Sequence, residues 1–385
     1  MKHSLLFIGL VLLAIFSCKT TQPTPISIVS VEEVDAAPSL EARMKIVAPK
    51  NIILMIGDGM GLTQTTAAMY KNGNKIAFER VPVIGLHKSY SSDNLVTDSA
   101  AGATAFASGK KTYNGAIGVD PDTVACPTLL EFATEKGMAT GLVATSTIVH
   151  ATPASFFGHE ALRSSYENIA IQLAESKVDF FVGGGKKFFA QREEDQRDLI
   201  KEMQVQGRQV QDFFETPFAQ ATIDPQRQFG YFTANEDPLP VAQGRSYLVP
   251  ATEASLEYLD KRDSLNKGFF LMIEGSQIDW GGHANDSEYI ISETIDFSNA
   301  VDKVLDFAAL DGETLVIITA DHETGGYAIG YGSKQDSIIG AFTSDYHTGT
   351  MIPVYATGPG SEKFGGIYEN TAIYDKILPY VKALK

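Results

Sequence analysis

Three apolar segments of this 385-residue chain end in residues that can bind a metal ion. NIILMIGD ends in Asp58, GFFLMIE ends in Glu274, and TLVIITADH ends in Asp321 and His322. Short apolar runs of this kind are typical of strands that are buried on both faces of a parallel sheet. In such sheets ligands bind at the carboxyl ends of the strands, so the pattern predicts one sheet edge that carries several metal ligands. A single aspartate in such a position is usually a turn or cap residue, but the repetition favours a shared site.

Apolar runs alternate with helical patterns along most of the chain, which predicts an α/β fold with a central, mostly parallel sheet and helices on both faces. Residues 186–250 break the rhythm, since they are rich in Gln, Asp and Arg and contain several prolines. We predict that they are an insertion on the α/β frame, as a lid or a peripheral subdomain. The predicted strands are 51–56, 139–145, 178–183, 268–274, 314–320 and 352–357. The predicted helices are 61–71, 99–108, 127–136, 164–176, 251–264 and 286–309.

The N-terminus has the features of an export signal. A basic start is followed by the apolar residues 5–16, a stretch that is too short to span a membrane as a helix. Ser17 precedes Cys18, as at a bacterial lipoprotein cleavage site. We therefore expect residues 1–18 to be a signal peptide that ends at a lipidated Cys18, with ordinary cleavage nearby as the alternative. Residues 19–45, rich in Thr, Pro and Ser, are predicted to be a tether, and 46–385 to be the folded domain.

The composition limits the classes of partner. A net charge of −16 makes nucleic-acid binding through a basic face a poor interpretation. The acidity is typical of a soluble protein, and an anionic substrate would need metal ions or an arginine to reverse the charge locally. The chain has two cysteines. With Cys18 lipidated, Cys126 has no partner for an intrachain disulfide, and its context indicates a small core residue.

The segment VTDSAAGATAFASG contains a candidate nucleophile. Ser99 follows Asp98 and precedes small residues that favour a helix. A serine at a helix N-terminus meets free N–H groups and the positive end of the helix dipole, which suits either a helix cap or attack on a phosphate. The small residues 100–102 leave room for a bulky group above Ser99.

The segment STIVHATPASFFGHEALR contains His150, Thr152, His159 and Arg163. The planar fork of an arginine matches two phosphate oxygens, although an isolated arginine is usually a surface residue. His159 fits either a core histidine or a hydrogen-bond donor to a ligand-binding side chain.

Six motifs in order, NIILMIGDGMG, VTDSAAGATA, HATPA, IEGSQIDWGGH, TADHETGG and HTG, resemble the motif set of the alkaline phosphatase family. The match runs from about residue 50 to residue 358. The resemblance implies an enzyme that hydrolyses small phosphate monoesters at alkaline pH through a phosphoserine, with two Zn²⁺ and one Mg²⁺. We expect such an enzyme to be exported to the periplasm or cell envelope, with a lipid anchor, and a homodimer is compatible with this reading.

The resemblance also assigns roles to individual residues. It implies that Ser99 is phosphorylated and that Arg163 binds the phosphate. The metal ligands that it implies are Asp279, His283 and His347 for the first zinc, Asp58, Asp321 and His322 for the second, and Asp58, Thr152 and Glu274 for the third metal.

Three positions depart from the best-known enteric form of the family. His150 replaces an aspartate, Trp280 replaces a lysine, and Thr324 replaces a histidine. His150 and Trp280 are therefore candidates for tuning the third metal and the phosphate site, and the identity of the third metal stays open. Trp280 also fits simple core packing.

Two other functions compete with this reading. A relative that prefers phosphodiesters or sulfate esters is the enzymatic alternative, and Ser99 argues against the sulfatases. A lipoprotein that only binds metal or phosphate is the other. It would lack the nucleophile or a ligand, and none is missing from the motifs.

Overall fold

The computed structural model describes residues 48–383, and in this range ten strands form one sheet. The signal peptide and tether predicted for residues 1–45 lie outside the described residues. The strands, with four short ones that lie outside the main sheet, are β1 (Asn51–Gly57), β2 (Val83–Lys88), β3 (Ala139–Thr147), β4 (Phe180–Gly184), β5 (Gln209–Asp212), β6 (Phe229–Phe232), β7 (Phe269–Gly275), β8 (Thr314–Thr319), β9 (Glu323–Thr324), β10 (Ala328–Ile329), β11 (Gly340–Ala341), β12 (His347–Thr348), β13 (Ile352–Thr357) and β14 (Gly366–Glu369).

Helices connect most of these strands. They are α1 (Leu62–Lys71), α2 (Ser99–Ser108), α3 (Leu129–Glu135), α4 (Ala151–Ala154), α5 (Tyr166–Glu175), α6 (Lys187–Ala190), α7 (Leu199–Val205), α8 (Leu248–Arg262), α9 (Gln277–His283), α10 (Ser287–Asp311) and α11 (Thr371–Ala383). Short 3₁₀ turns occur at Ala77–Arg80, Phe218–Gln220, Val241–Gln243 and Ser361–Phe364.

The order of strands in the main sheet is β14-β2-β13-β8-β1-β7-β3-β4-β6-β5. All neighbouring pairs are parallel except those of β13, which runs antiparallel to both β2 and β8. The predicted α/β class with a mostly parallel sheet is therefore confirmed. Each of the six predicted strands is present, and β2, β5, β6 and β14 are additional.

Strand β1 lies at the centre because its side chains are apolar on both faces. Ile52, Leu54 and Ile56 pack into one core, with residues of α2, α3, α5 and α11. Ile53 and Met55 pack into a second core on the other face, with residues of α1, α8 and α10. The two cores pack the sheet between two helical layers and fix where its carboxyl edge lies.

The segment 186–250 forms part of the main sheet. It supplies β5 and β6, and β6 pairs in parallel with β4, so the segment extends the main sheet at its edge. Its remaining residues form short helices and loops. None of the helices within residues 48–383 is both long and apolar enough to cross a membrane.

Candidate active site

The acids predicted to share one sheet edge do so. Strands β8, β1 and β7 are neighbours, and Ile56 in β1 is level with both Thr319 in β8 and Glu274 in β7. Asp58 follows β1 and Asp321 follows β8, so both carboxylates emerge beside Glu274. All three side chains are completely buried. Because these strands are parallel neighbours, three residues that are distant in the sequence form one cluster.

A first group of possible metal ligands consists of Asp279, His283 and His347. The first two are four residues apart in α9, so they lie on the same face of that helix. His347 precedes β13, and because β13 is antiparallel, its beginning lies at the edge where the other strands end. The Nε2 atoms of His283 and His347 are 3.1 Å apart, and they lie 3.4 Å and 3.5 Å from the carboxylate oxygens of Asp279.

Backbone carbonyls fix the orientation of these two imidazoles. Nδ1 of His283 lies 2.7 Å from the carbonyl oxygen of Asp345, and Nδ1 of His347 lies 2.8 Å from that of Thr97. A carbonyl oxygen only accepts hydrogen bonds, so Nδ1 carries the proton in each ring. Nε2 of each ring therefore faces the group, as in histidines that bind a metal.

A second group consists of Asp58, Asp321 and His322. Nε2 of His322 lies 3.4 Å from Oδ1 of Asp58 and 3.4 Å from Oδ2 of Asp321. The other oxygen of Asp321 accepts hydrogen bonds from the backbone N–H groups of Gly59, at 3.2 Å, and His322, at 3.0 Å. Among the described residues, both Asp58 oxygens and Oδ2 of Asp321 are buried without a hydrogen-bond partner.

Asp58 also belongs to a third group, with His150 and Glu274. Ser146 in β3 donates a hydrogen bond to Oε2 of Glu274 at 3.4 Å. Burial raises the pKa of Glu274 to about 8, while the nearby hydroxyl groups of Ser276 and Thr152 lower it. Thr152 therefore lies near Glu274.

Ionisation of Asp58 and Asp321 at this edge is unfavourable in the absence of a cation. Burial raises the pKa of Asp58 well above its usual value, and the charges of Asp321, Asp279 and Glu274 raise it further. Burial and then the charge of Asp279 raise the pKa of Asp321 to about 7. Buried carboxylates this close repel one another in the ionised form, and a bound cation reverses that effect. The unpartnered oxygens and the mixture of carboxylate and imidazole groups fit divalent metal ions.

Ser99 is the first residue of α2, and Asp98 is its N-cap. The Asp98 carboxylate accepts a hydrogen bond from the Ala101 N–H at 3.0 Å, so the capping role falls to Asp98 rather than to Ser99. The Ser99 hydroxyl lies 3.3 Å from Nε2 of His322 and is buried beside the second group. Helix α2 packs so closely here that a Cβ on Gly102 would lie 2.9 Å from Cβ of Asp321.

Arg163 is held by two partners next to Ser99. Its Nη1 donates to Oδ2 of Asp98 at 3.0 Å, and its Nη2 donates to Nε2 of His150 at 3.3 Å. Burial and then the charge of Arg163 lower the pKa of His150 to about 3, so its neutral ring accepts this hydrogen bond. Trp280 meets the His150 ring edge-on, with centroids 6.2 Å apart.

Two contributors had no predicted role. Asp98 joins the cap of α2 to Arg163, and its only sequence signal was its position before the helix, which is typical of an N-cap. Ser146 gave no signal, because it lies inside an apolar strand pattern. Thr324 was noted only as a departure, and it donates a hydrogen bond to Asp279 while its Oγ1 lies 3.2 Å from Nδ1 of His322. Thr324 thus connects the first two groups.

The alkaline phosphatase family model matches residues 49–341, which is most of the described domain. The chain belongs to the alkaline phosphatase family. It is 42% identical to alkaline phosphatase 3 of Bacillus subtilis (strain 168), over 86% of this chain and 88% of that protein. It is 32% identical to the alkaline phosphatase of Escherichia coli (strain K12), over 84% of each chain.

Among solved structures, the fold is similar to that of the alkaline phosphatase from the Antarctic bacterium TAB5. The TM-score is 0.80 at 43% sequence identity, over 87% of this chain and 98% of that one. The chain is therefore an enzyme that hydrolyses phosphate monoesters, and its candidate metal ligands form the groups described above.

Proposed function

We propose that Ser99 is the nucleophile of this phosphatase and that Arg163 binds the phosphate group of the substrate. The observation that carries the proposal is the position of the Ser99 hydroxyl, which is 3.3 Å from Nε2 of His322 and free of the capping role. Asp98 and His150 hold the Arg163 guanidinium beside it. A nucleophile, an anion-binding fork and a cluster of metal ligands therefore meet at one place.

Two Zn²⁺ and one Mg²⁺ fit the three groups. We assign Asp279, His283 and His347 to the first zinc, since two imidazoles and one carboxylate are typical zinc ligands. Asp58, Asp321 and His322 would hold the second zinc. Asp58, Thr152 and Glu274 offer oxygen atoms, which Mg²⁺ prefers, and His150 lies at the same place. Bound there, the ions would neutralise phosphate charge and lower the pKa of the Ser99 hydroxyl.

The residues of the chain then act in a simple order. Arg163 and the N-terminus of α2 orient the phosphate of the ester. Oγ of Ser99 forms a bond to phosphorus and gives up its proton to solvent as the bond from phosphorus to the alcohol oxygen breaks, and that oxygen takes up a proton from solvent. The alcohol leaves, and Ser99 carries the phosphate. Water then attacks the phosphoserine, which releases inorganic phosphate and regenerates the Ser99 hydroxyl.

The third group has support from a relative. A structure of a TAB5 alkaline phosphatase variant, in which a histidine is replaced by aspartate, has Mg bound in the M3 site. That protein is 42% identical to this chain, over 87% of this chain and 98% of that one. We infer that His150 makes the third site of this chain less selective for Mg²⁺ than an aspartate would, because imidazole is a softer ligand than carboxylate.

Metal removal tests the assignment. Purified full-length protein should release phosphate from a chromogenic monoester, with more activity at alkaline than at neutral pH. Exhaustive chelation should abolish the release, and Zn²⁺ with Mg²⁺ should restore it. Activity that survives chelation would contradict the metal assignment, while bound zinc without turnover would indicate a binding protein.

The position of the enzyme in the cell is also a proposal. The N-terminal pattern supports export and lipidation of Cys18, so that a tether connects the catalytic domain to a membrane in the periplasm or cell envelope. Small phosphate monoesters are the proposed substrates, and a homodimer is the proposed assembly. Mass spectrometry of the mature N-terminus tests the lipid anchor, and light scattering of the soluble domain tests the dimer.

A further inference from the structure

Tyr346 places an exposed aromatic ring against the first group of metal ligands. Its ring is stacked on that of His347, with centroids 4.4 Å apart and an angle of 11° between the planes. The ring of His283 lies 5.9 Å away. Even so, Tyr346 is 48% exposed, so part of its ring faces solvent at the mouth of the site. The roles proposed above use both histidines and leave Tyr346 without one.

The backbone fixes this ring before any substrate arrives. The carbonyl oxygen of Tyr346 accepts a hydrogen bond from the Gly325 N–H at 2.9 Å, and the Tyr346 N–H donates to Oγ of Ser344 at 2.9 Å. The next residue, His347, is tied to the carbonyl oxygen of Thr97. A ring held in this way loses little conformational entropy when it makes a contact.

The direction of the reaction brings the alcohol part of the substrate toward Tyr346. Ser99 lies against His322, in the second group. In an in-line displacement the leaving oxygen departs on the side of phosphorus opposite to the nucleophile. The first group adjoins the second, since the rings of His322 and His347 are stacked with centroids 3.5 Å apart, and Tyr346 covers His347. With the first group on the leaving side, the alcohol of the ester emerges next to the Tyr346 ring.

Neighbouring side chains agree with this placement. The adjoining loops expose two more apolar side chains, Leu95 at 79% and Met351 at 44%. The rim on this side of the site thus includes exposed apolar side chains.

We propose that Tyr346 is a specificity-determining residue that stacks on a ring in the alcohol part of the substrate. The preferred substrates are then phosphate monoesters whose alcohol part carries an aromatic ring, over those of small alcohols without a ring. This inference rests on the proposed function, since the location of the leaving group follows from Ser99 as nucleophile. Contacts between two aromatic rings stabilise by an amount that corresponds to a roughly 2- to 12-fold effect on kcat/KM.

Benzyl phosphate and ethyl phosphate provide the test. Both release an aliphatic alcohol, so they differ mainly in the ring. Tyr346→Ala should lower kcat/KM for benzyl phosphate by roughly 2- to 12-fold and that for ethyl phosphate by less than about 2-fold. Tyr346→Phe, which keeps the ring, should resemble the wild type. Tyr331→Ala is the matched control, because Tyr331 is fully exposed, and it should change neither value.

Two further measurements separate stacking from support of His347. The inhibition constant of inorganic phosphate and the zinc content should be unchanged in Tyr346→Ala, because neither involves the alcohol. An equal fall for both esters, with weaker phosphate binding or lost zinc, would overturn the inference and leave the proposed function intact. So would an unchanged ratio between the two esters. A wild-type protein that hydrolyses neither ester would instead contradict the proposed function itself.

Discussion

Because Asp98 caps α2, the Ser99 hydroxyl is not needed as the helix cap. Replacing Ser99 therefore tests its proposed role as the nucleophile. Ser99→Ala should remove the phosphoenzyme and lower kcat on the order of 10³-fold or more, as other nucleophile deletions do. Some hydrolysis should remain, because the proposed contacts of the phosphate with Arg163 and with bound metal ions are retained. Rapid-quench labelling and steady-state kinetics measure both effects.

The control for Ser99→Ala is Ser92→Ala, on the exposed loop that leads to the same helix. This variant should keep normal turnover. If Ser99→Ala also turns over at a near-normal rate, Ser99 is only the first residue of a helix, and the nucleophile lies elsewhere.

His150 and Trp280 are two of the three positions at which this chain departs from the enteric form. In the double variant His150→Asp with Trp280→Lys, a harder ligand should favour Mg²⁺ and a new point charge should strengthen phosphate binding. Product release should then slow, and kcat should fall where release limits the rate. The two side chains are in contact, so the double variant should differ from the sum of the single variants.

The inhibition constant of phosphate and the Mg²⁺ dependence of kcat measure this tuning. The single variants serve as controls for each other. Unchanged phosphate affinity together with unchanged Mg²⁺ dependence would mean that both residues only pack.

At the scale of elements, the strands that carry the chemistry and their parallel order were predictable, and the direction of β13 was not. Strands β1, β7 and β8 are continuous apolar runs, because both of their faces are covered, and each ends in a recognisable ligand. The resulting cluster of Asp58, Glu274 and Asp321 followed from sequence alone. The antiparallel direction of β13 did not, since an apolar run looks the same in either direction.

Other elements left weak signals for physical reasons. Strand β5 has the polar sequence QVQD at the edge of the sheet, where one side of the strand has no partner strand, so its pattern does not resemble a buried strand. The pairing of Asp98 with Arg163 joins residues 65 positions apart through tertiary packing. His347 stood alone in the sequence, and only the resemblance, not its spacing, connected it with Asp279 and His283.

The contact of α2 with the strand edge gives a prediction at this scale. Gly102→Ala should place a Cβ 2.9 Å from that of Asp321 and push the helix away from it. Overpacking costs roughly 1–3 kcal/mol, while alanine improves a helix by about 1 kcal/mol, so the net loss of stability should reach at most about 2 kcal/mol. Activity should fall more steeply than stability, because Ser99 and Asp321 move apart. Urea unfolding and kcat/KM measure the two effects.

Gly365→Ala is the matched control for Gly102→Ala. Gly365 has a negative φ of −72°, and a Cβ there would meet nothing closer than 3.8 Å. That variant should keep its stability and activity. Normal activity in Gly102→Ala would show that the helix and Asp321 tolerate a small separation.

Over the whole molecule, excess negative charge and buried histidines govern how stability responds to pH. The net charge is −16, and the densest group of buried acids lies where the metal ligands meet. Ions that bind only the folded state stabilise it by mass action. Metal-loaded protein is therefore the form in which these acids are compatible with a packed core.

Two histidines outside the metal groups, His159 and His87, change the stability in opposite directions as the pH changes. His159 lies between Glu131 and the carbonyl oxygen of Gly118, and its hydrogen bond to Glu131 raises its pKa. The stability that it contributes is present below its unfolded pKa of about 6.5 and is lost as the pH rises. His87 is completely buried, donates from Nε2 to the carbonyl oxygen of Ala320 at 2.8 Å, and packs edge-on against Phe106.

Burial lowers the pKa of His87 from 6.5 to about 4. The folded state therefore favours the neutral ring, and below pH 6.5 the unfolded chain binds a proton that the folded chain does not. Stability contributed by the neutral ring should be complete above pH 6.5 and fall between pH 6.5 and 4, by about 3 kcal/mol in total. His87→Gln, which keeps a donor for Ala320, should remove this part of the acid sensitivity.

Urea unfolding of the metal-loaded protein at pH 7.5 and pH 5 checks the prediction for His87. The difference in unfolding free energy between the two pH values should be smaller in His87→Gln than in the wild type, since a titrating group has been removed. His159→Gln is the control with the opposite sign, and it should not reduce the loss of stability in acid. An unchanged difference in His87→Gln would mean that His87 has the same pKa in the folded and unfolded states. The other buried histidines and the release of metal ions would then dominate the acid response.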